Sequence, residues 1–570
     1  MPYVFRRSTA GFLALTFGVS VLSCGQALAN GKTNVSEVAK YFNPFQKKGY
    51  LNQSQDRIIK KKSFKASELP VSEAVTNKEI GYFATVPFDK LTDSDYIGNL
   101  LTNKRVNGLS VLIPWSQIEP TEDQFNWQTV DQLLSACAKN GKTLILRVST
   151  CGVDLPGAAE SKQLTPDTPR WVFESGVKSV VFTDPNGKLH LMPIFWDKDY
   201  LAKWSNFVRE MADRYDKNPN IQSIGITGGG FRGGTQVVPD YPAQAPSKQA
   251  KGGTADLAEV LKTDHGMTLE QLVKHWKYVA EIFPKRFQTA RLNFSINAPL
   301  HNRKGEDALD EISDYLAYRY GQRIYLTRQG ISTGKHGFDD YRLLLKFHND
   351  TLTGLELTND ITPDALEKVA KHALDDGISF AELPPALLTS TNPTVQASLD
   401  SLASHIGYQI IGQKALVTTN KISMGQPLKA SFSFVNVGAA TAMRPERNFD
   451  KDVPSSYRLQ IELRDADGRP VLQNLHTPPT PTNQWASGKP ITWDEELKMI
   501  DQDKRQLPPG EYTAWMSLVD PSAKRKIIFT NATSGTKPAS AETVEVGKVT
   551  ITPAVASEKL ETSANDGQQR

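Results

Sequence analysis

The sequence is poor in cysteine, with three residues of this type in 570, at positions 24, 137 and 151. Its nine histidines are scattered, and no Cys or His spacing matches that of a structural zinc site. We therefore expect neither a metal nor a cofactor. Two interpretations of Cys137 and Cys151 stay open. An oxidising compartment permits a disulfide between them, whereas the place of Cys137 on the apolar face of a predicted helix favours a buried free thiol.

A strong excess of charge of one sign is also lacking. The chain has 66 basic and 62 acidic residues, a formal net charge of +4. Residues 1–29 contain two arginines and no acidic residue, so their removal leaves +4 − 2 = +2. Balanced charge argues against a nucleic acid as partner. Beyond residue 29 no apolar run is as long as a membrane-spanning helix requires, so no membrane span is expected.

The N-terminus has the pattern of an export signal. Arg6 and Arg7 precede an apolar run over residues 12–22, and the small residues of Ala27-Leu28-Ala29 mark a cleavage site before Asn30. We predict a signal peptide over residues 1–29 and a periplasmic or extracellular protein. An alternative is lipidation of Cys24, which would tie the chain to a membrane by a lipid anchor.

After residues 30–78, a polar linker or N-terminal strap, short apolar runs alternate with patterns of helical period. Alternation of this kind over residues 79–400 predicts an α/β fold, a (β/α)8 TIM barrel. A doubly wound sheet is the alternative, but the first strand lacks the glycine-rich turn that such sheets use for nucleotides. The predicted strands are Tyr82–Phe88, Gly108–Ile113, Thr143–Val148, Ile221–Thr227, Leu292–Asn297, Arg323–Thr327, Thr353–Thr358 and Ile378–Glu382.

Two connections, after the third and fourth predicted strands, are too long for simple turns. In the first, the turn Asp184-Pro185-Asn186-Gly187 lies between two apolar runs and predicts an inserted hairpin. The second runs from Gly228 to about Met267. Both follow the C-terminal ends of strands, so both should lie over the face where barrel active sites form.

Beyond the barrel, short strands separated by turn residues predict an immunoglobulin-like β-sandwich over residues 406–553. We expect this domain to fold independently, because no barrel strand is left for it to supply. The polar residues 557–570 are predicted to form a disordered tail.

One stretch carries a resemblance to a known family. Trp115, then Ile118-Glu119-Pro120, then Phe125-Asn126-Trp127 and Asp131 resemble the strand-two region of barrel glycoside hydrolases of the family-42 β-galactosidase type. The resemblance is good over residues 82–227 and weak over the rest of the barrel. It implies a carbohydrate substrate and two catalytic glutamates, one after strand four and one after strand seven, because one carboxyl group protonates the leaving oxygen while the other attacks or activates water.

The sequence departs from that pattern after strand four. Residues 227–236 contain three consecutive glycines, Gly228 to Gly230, and no carboxylate. Two interpretations of the glycines stay open. They are the flexible root of a loop, or they form a floor for a sugar ring whose hydroxyls or carboxylate Arg232 contacts.

Strand seven offers Glu356 as the candidate. Alternation in Gly354-Leu355-Glu356-Leu357-Thr358 places the leucines towards the helices and Glu356 in the barrel mouth. The resemblance assigns this position to the nucleophile, and the alternative is a structural pair with an interior arginine such as Arg147. Glu382, at the end of strand eight, is the substitute proton donor or else a rim glutamate.

Aromatic residues are expected on the same face. Trp115, Trp171 and Trp196 follow strands two and three and would stack on sugar rings, with Arg147 and Arg232 as further substrate contacts; core packing of the loops is the alternative. Glu119 is expected to hold its own loop. Two functions follow. The first is an exported glycoside hydrolase acting on an oligosaccharide or polysaccharide, and the second is a catalytically inactive carbohydrate-binding barrel in envelope polysaccharide handling.

Overall fold

The computed structural model describes residues 79–152, 166–231, 235–244, 254–331, 342–417, 419–443, 456–500, 505–520, 525–527, 529–530 and 542–554. In its N-terminal part the strands are β1 (Gly81–Val86), β2 (Val106–Pro114), β3 (Thr143–Ser149), β4 (Ser179–Thr183), β5 (Leu189–Pro193), β6 (Ile221–Gly225), β7 (Pro242–Gln244), β8 (Thr254–Asp256), β9 (Leu292–Ser295), β10 (Ile324–Ile331), β11 (Thr353–Leu357) and β12 (Phe380–Leu383). The helices are α1 (Ser94–Thr102), α2 (Trp115–Ile118), α3 (Gln128–Lys139), α4 (Arg170–Glu174), α5 (Lys198–Tyr215), α6 (Leu257–His265), α7 (Leu269–Arg286), α8 (Arg303–Tyr320), α9 (Arg342–Phe347), α10 (Pro363–Asp375), α11 (Pro385–Leu388) and α12 (Pro393–Ala403).

Eight parallel strands form a closed barrel in the order β1-β2-β3-β6-β9-β10-β11-β12, and β12 pairs with β1. Each contains or overlaps one of the eight predicted apolar runs, so the (β/α)8 TIM barrel is confirmed. The helices form where the apolar period placed them. In α10, Thr362 caps the N-terminus by accepting from the Ala365 N–H, Pro363 occupies the first turn, and the apolar face is buried.

The barrel interior has an apolar layer and a polar layer. Five side chains form a buried cluster that is separate from the core between strands and helices: Phe83, Ile145, Tyr325, Leu352 and Phe380. Small residues make room for the larger ones. A Cβ on Gly354 would lie 2.3 Å from the Phe380 ring, and one on Gly225 would lie 2.5 Å from Cγ of Arg147. Above the apolar layer the inward-facing positions are polar, and this layer leads to the barrel mouth.

The two long connections combine into one sheet of order β5-β4-β7-β8. The predicted hairpin is β4 and β5, antiparallel from Ser179 opposite Pro193 to Thr183 opposite Leu189. Its turn is closed by Asp184, whose carboxylate accepts from the backbone N–H groups of Asn186 and Lys188. Because both connections leave the C-terminal ends of barrel strands, this sheet belongs to the face that carries the barrel mouth.

The C-terminal part is built of strands only, apart from a short 3-10 helix, in the residues that the structure describes. Two sheets, of order β18-β15-β13-β21 and β14-β22-β19-β16-β17 with β20 beside β19, enclose a common core. The immunoglobulin-like character and the domain bounds stay predictions. The strands are β13 (Ile410–Val417), β14 (Lys421–Ser423), β15 (Leu428–Asn436), β16 (Arg458–Arg464), β17 (Pro470–His476), β18 (Pro490–Leu497), β19 (Gly510–Asp520), β20 (Arg525–Lys526), β21 (Phe529–Thr530) and β22 (Val544–Thr552).

Cys137 and Cys151 are buried free thiols, so the disulfide alternative is not realised. Burial raises the pKa of Cys137 to about 12. Within the described ranges, no helix is both long and apolar enough to cross a membrane, and no group of three or more His, Cys, Asp or Glu residues could hold a metal ion. The predicted signal peptide, the strap over residues 30–78 and the tail over residues 557–570 lie outside the described residues.

Candidate active site at the barrel mouth

A buried ion pair joins two barrel strands that are far apart in sequence. Arg147, inward-facing on β3, donates to both carboxylate oxygens of Glu382 on β12, with N–O distances of 2.5 and 2.6 Å. The Ser110 hydroxyl on β2 donates to the same carboxylate and accepts from Arg147 at 3.0 Å. Glu382 is 0% exposed and Arg147 is 5% exposed. Burial alone would lower the pKa of Arg147, but the carboxylates of Glu382 and Glu356 raise it above its ordinary value.

Glu356 lies beside this pair on the inward face of β11. Its Cα is in register with that of Glu382 on the neighbouring parallel strand. Leu355 and Leu357 on either side are buried in the layer between strands and helices, so the predicted orientation of Glu356 is confirmed. Unlike Glu382, Glu356 is only half-buried. It is therefore the carboxylate of the two that a ligand in the barrel mouth can reach, while its catalytic role stays a prediction.

Neighbouring strands are about 4.8 Å apart, so Glu356 and Glu382 stand side by side. Retaining glycosidases hold their two carboxyl groups about 5–5.5 Å apart. A proton donor must also reach the leaving oxygen of the sugar, and Glu382 has no exposed surface and accepts from Arg147 with both oxygens. The geometry therefore favours a structural role for Glu382 over the predicted one of proton donor. It also makes Glu382, rather than Glu356, the bidentate partner of Arg147.

The three tryptophans predicted to stack on sugars have different environments in the structure. Trp115 is 0% exposed and packs at centroid distances of 5.1 to 6.2 Å from Trp171, Tyr200 and Trp204. This burial corresponds to the core-packing alternative and leaves Trp115 no surface for a sugar. Trp171 is half-buried, but Lys203 lies over its ring at 4.8 Å. Trp196 is half-buried and contacts Phe195 edge to face, so it remains the best of the three candidates for stacking on a sugar.

Glu119 holds its own loop, as expected. One carboxylate oxygen accepts from the Trp115 indole N–H at 2.8 Å and the other from the Asp123 backbone N–H at 2.9 Å. Asp123 has a left-handed φ of 59°, which this hydrogen bond helps to hold. Burial raises the pKa of Glu119. The Ile-Glu-Pro motif of the resemblance is therefore a loop-forming element here.

The glycines that follow β6, the fourth barrel strand, are required by packing. Gly228 has a φ of 134°, and a Cβ there would lie 2.4 Å from the Trp204 indole nitrogen; a Cβ on Gly229 would lie 2.7 Å from the Phe195 ring. Both glycines are buried beneath these aromatic rings. Neither the flexible loop root nor the sugar floor describes them. Arg232, the proposed contact in that interpretation, lies outside the described residues.

Sequence reasoning missed a polar network on the opposite side of the mouth. The Asn297 side chain accepts from the Ser295 hydroxyl and donates to the Gln329 backbone carbonyl, and its backbone N–H donates to the Gln236 side chain. Nε2 of Gln236 and Nδ2 of Asn293 have no hydrogen-bond partner among the described residues. The sequence did carry a signal for this network. Asn293, Ser295 and Asn297 occupy alternate positions along β9, the fifth barrel strand, and just beyond it. A parallel strand buried on both faces usually has apolar residues at such positions.

Comparison with known proteins gives one family match and one similar solved structure. Residues 95–228 match the Glyco_hydro_42 family, described as beta-galactosidase. The match runs from α1 to the first glycine after β6, and it confirms the resemblance to barrel glycoside hydrolases and supports a carbohydrate-acting function. No curated protein matches the chain. Among solved structures, the chain is similar to the catalytic domain of a beta-amylase from Paenibacillus polymyxa, with 12% identity over 57% of this chain and 98% of that chain and a TM-score of 0.38.

Proposed function

We propose that this chain is an exported protein that binds a glycan across the barrel mouth and cleaves a glycosidic bond, with Glu356 as nucleophile or base. The observation that carries the proposal is a half-buried carboxylate on the inward face of β11, beside the buried Arg147–Glu382 pair. It lies near the C-terminal end of the seventh barrel strand, in a barrel whose residues 95–228 match a family of beta-galactosidases.

The neighbouring ion pair suits Glu356 to this task. The Arg147 guanidinium attracts the Glu356 carboxylate, and Arg147 itself is fixed by Glu382 and Ser110. A carboxylate beside such a fixed group needs little reorganisation when charge develops on a sugar ring. The Asn297 network and the half-buried Trp196 supply polar and aromatic contacts of the kind that orient a sugar.

The site offers a better candidate for the nucleophile than for the proton donor to the leaving group. Among the described residues that follow strand four, none is a carboxylate until Asp240, and Glu382 is bound to Arg147. A nucleophile without a strong acid partner cleaves best those glycosides whose leaving group needs no proton. We therefore expect hydrolysis of 2,4-dinitrophenyl glycosides to exceed that of alkyl glycosides by a much wider margin than in an enzyme with both carboxyl groups.

A second candidate function is glycan binding without hydrolysis. The burial of Glu382 beneath the mouth favours it, as does the packing of Gly228 and Gly229 in place of the strand-four glutamate. Under this alternative Glu356 accepts hydrogen bonds from sugar hydroxyls. Binding would then be measurable with every glycan that the mouth admits, and no glycoside would be cleaved.

The deciding experiment replaces Glu356 by Gln and assays a panel of 2,4-dinitrophenyl and alkyl glycosides alongside a thermal melt. If Glu356 is the nucleophile or base, release of dinitrophenol falls by several orders of magnitude while the protein stays folded. The exposed Glu367 on α10 supplies the control Glu367→Gln, which should leave both readings unchanged. Full activity in folded Glu356→Gln protein would remove the catalytic role. Absent activity in the unaltered protein, together with glycan binding, would establish the second candidate.

The export part of the proposal rests on residues 1–29 alone. N-terminal sequencing of protein recovered outside the cytoplasm should find a mature chain beginning near Asn30. A chain beginning at a lipidated Cys24 would replace free export by a membrane-anchored form.

A further inference from the structure

A cleft of about 500 Å³ opens on the outside of the barrel. It lies between the loop that joins α2 to α3, the first turns of α3 and the C-terminal end of α5. The residues that line it include Phe125, Asn126, Trp127, Asp131, Gln132 and Arg214. None of them lies on a barrel strand, so this cleft is separate from the residues assigned to the mouth.

The cleft has an aromatic wall. Trp127 stacks on Phe125 at a centroid distance of 5.7 Å with 9° between the planes, and on Phe207 at 5.9 Å with 27°. The Phe125 and Phe207 centroids are only 6.4 Å apart. Tyr215 also packs against Trp127, at a centroid distance of 5.3 Å with 83° between the planes. Phe125 and Trp127 are half-buried, and the parts of both rings that stay exposed form the cleft wall.

The rest of the lining is polar. Asp131 forms an ion pair with Arg214 and accepts from the Tyr215 hydroxyl at 2.8 Å, which fixes the carboxylate and the guanidinium at the edge of the cleft. Asn126 and Gln132 are exposed and line the same space, and the Asn126 Oδ1 accepts from the Gln128 backbone N–H at 3.2 Å. The Asp131 contacts hold α3 against α5 and so have a structural role. Neither that role nor the hydrogen bond at Asn126 Oδ1 accounts for the exposed Gln132 amide and the Asn126 Nδ2 group beside an aromatic wall.

We propose that this cleft is a second carbohydrate site, which binds a hexose ring of a polysaccharide outside the barrel mouth. An aromatic face offers the C–H surface of a sugar ring a large apolar contact. Amide, carboxylate and guanidinium groups together supply both donors and acceptors for sugar hydroxyls. A site of this kind would hold the polymer on the protein surface, and its existence does not depend on Glu356 being reactive.

Affinity electrophoresis of the full mature chain tests the proposal, with gels that contain soluble galactan, soluble starch or hydroxyethylcellulose. The double variant Asn126→Ala/Gln132→Ala removes two exposed amides and keeps both aromatic residues of the wall. A thermal melt checks that loss of the hydrogen bond from the Gln128 N–H leaves the fold unchanged. We expect its affinity for the retarding polymer to fall about tenfold, equivalent to about 1.4 kcal/mol. The matched control is Asn99→Ala, an exposed amide on α1 outside the cleft, which should bind as the unaltered protein does.

Two further variants make the result decisive. Trp127→Leu, checked for folding by circular dichroism, should weaken retardation as the double variant does. Glu356→Gln, a change in the mouth, measures how much of the retardation comes from the mouth. Hydrolysis of glycosides is scored separately, so failure of the active-site proposal would not imitate failure of this one. The proposal is overturned if none of the three polymers retards the unaltered protein, or if the double variant and folded Trp127→Leu both bind as tightly as the control.

Discussion

Arg147 and Glu382 form a doubly hydrogen-bonded ion pair across the barrel interior, between residues 235 positions apart in the chain. The pair connects β3 to β12, the third and the eighth barrel strands. It lies beside Glu356, the accessible carboxylate of the mouth. Its burial makes it sensitive to the loss of either partner, because a lone charge in the interior has neither water nor a counter-ion. Any test of the site must therefore separate loss of chemistry from loss of fold.

Replacing Arg147 by Met should lower the free energy of unfolding by about 3–5 kcal/mol, because Glu382 is left buried without its partner. Chemical denaturation of the variant measures this loss. The double variant Arg147→Met/Glu382→Met removes both charges and should recover much of it. A cost below about 1 kcal/mol for the single variant, the range of exposed pairs, would show that the pair is solvated.

The glycines that follow β6 give a prediction for which the same chain supplies a control glycine. Gly228→Ala forces a Cβ against the Trp204 indole at a φ of 134°, and should destabilise the protein by about 1–3 kcal/mol. Gly98, inside α1, has open space around its Cα, and Gly98→Ala should stabilise by about 0.5–1 kcal/mol. The melting temperatures and the denaturant midpoints of the two variants should shift in opposite directions. If Gly228→Ala were neutral, the close packing under Trp204 would not exist in solution.

His275 should make stability depend on pH. It is buried on α7 between Phe195 and Trp276, and burial lowers its pKa to about 3. Between that value and about 6.5, the pKa of an unfolded histidine, the unfolded chain binds a proton that the folded one does not. Stability should therefore fall as pH drops through this window, by up to about 1.4 kcal/mol per pH unit.

The variant His275→Leu isolates that contribution. It should lose less stability than the unaltered protein when chemical denaturation is repeated from pH 7 towards pH 4, because most of that range lies between the folded and unfolded pKa values of His275. Parallel curves for the two proteins would mean that His275 is protonated in the folded state. The carboxylates of the chain titrate in both proteins, so the difference between the two curves carries the result.

Much of the barrel could be predicted because its signals are local. Strand runs such as Thr143–Val148, the cap at Thr362 and the turn at Asp184 depend on neighbours within a few residues. The orientation of Glu356 followed from alternation for the same reason. The period of an apolar pattern, however, predicts only which way a side chain points, and does not predict which other residues will pack on it.

The errors at the site come from contacts between distant segments. Trp115 does follow strand two, but α5 brings Tyr200 and Trp204 onto its ring and buries it. The pairing of Arg147 with Glu382 depends on closure of the barrel, which sets strand eight beside strand one and within reach of strand three. Neither contact has a signal in the sequence near the residue concerned.

The junction with the C-terminal domain provides the last prediction. Ile80, directly before β1, is fully buried in the core of the C-terminal sheets rather than in the barrel. Gly407 accommodates it, since a Cβ there would lie 2.8 Å from the Ile80 Cδ1. The expectation that residues 406–553 fold independently omitted this contribution. Ile80→Ala should lower the free energy of unfolding by about 2–5 kcal/mol and speed amide hydrogen exchange in β13 and β15.

Ile97→Ala on α1 is the matched control, because Ile97 is buried in the core between strands and helices of the barrel. The two variants lose similar apolar contacts, so chemical denaturation should find losses of the same order. Hydrogen exchange followed by mass spectrometry separates them, since Ile97→Ala should leave exchange in β13 and β15 close to that of the unaltered protein. If Ile80→Ala also left it unchanged, Ile80 would not belong to that core, and the C-terminal domain would be independent of the segment that enters the barrel.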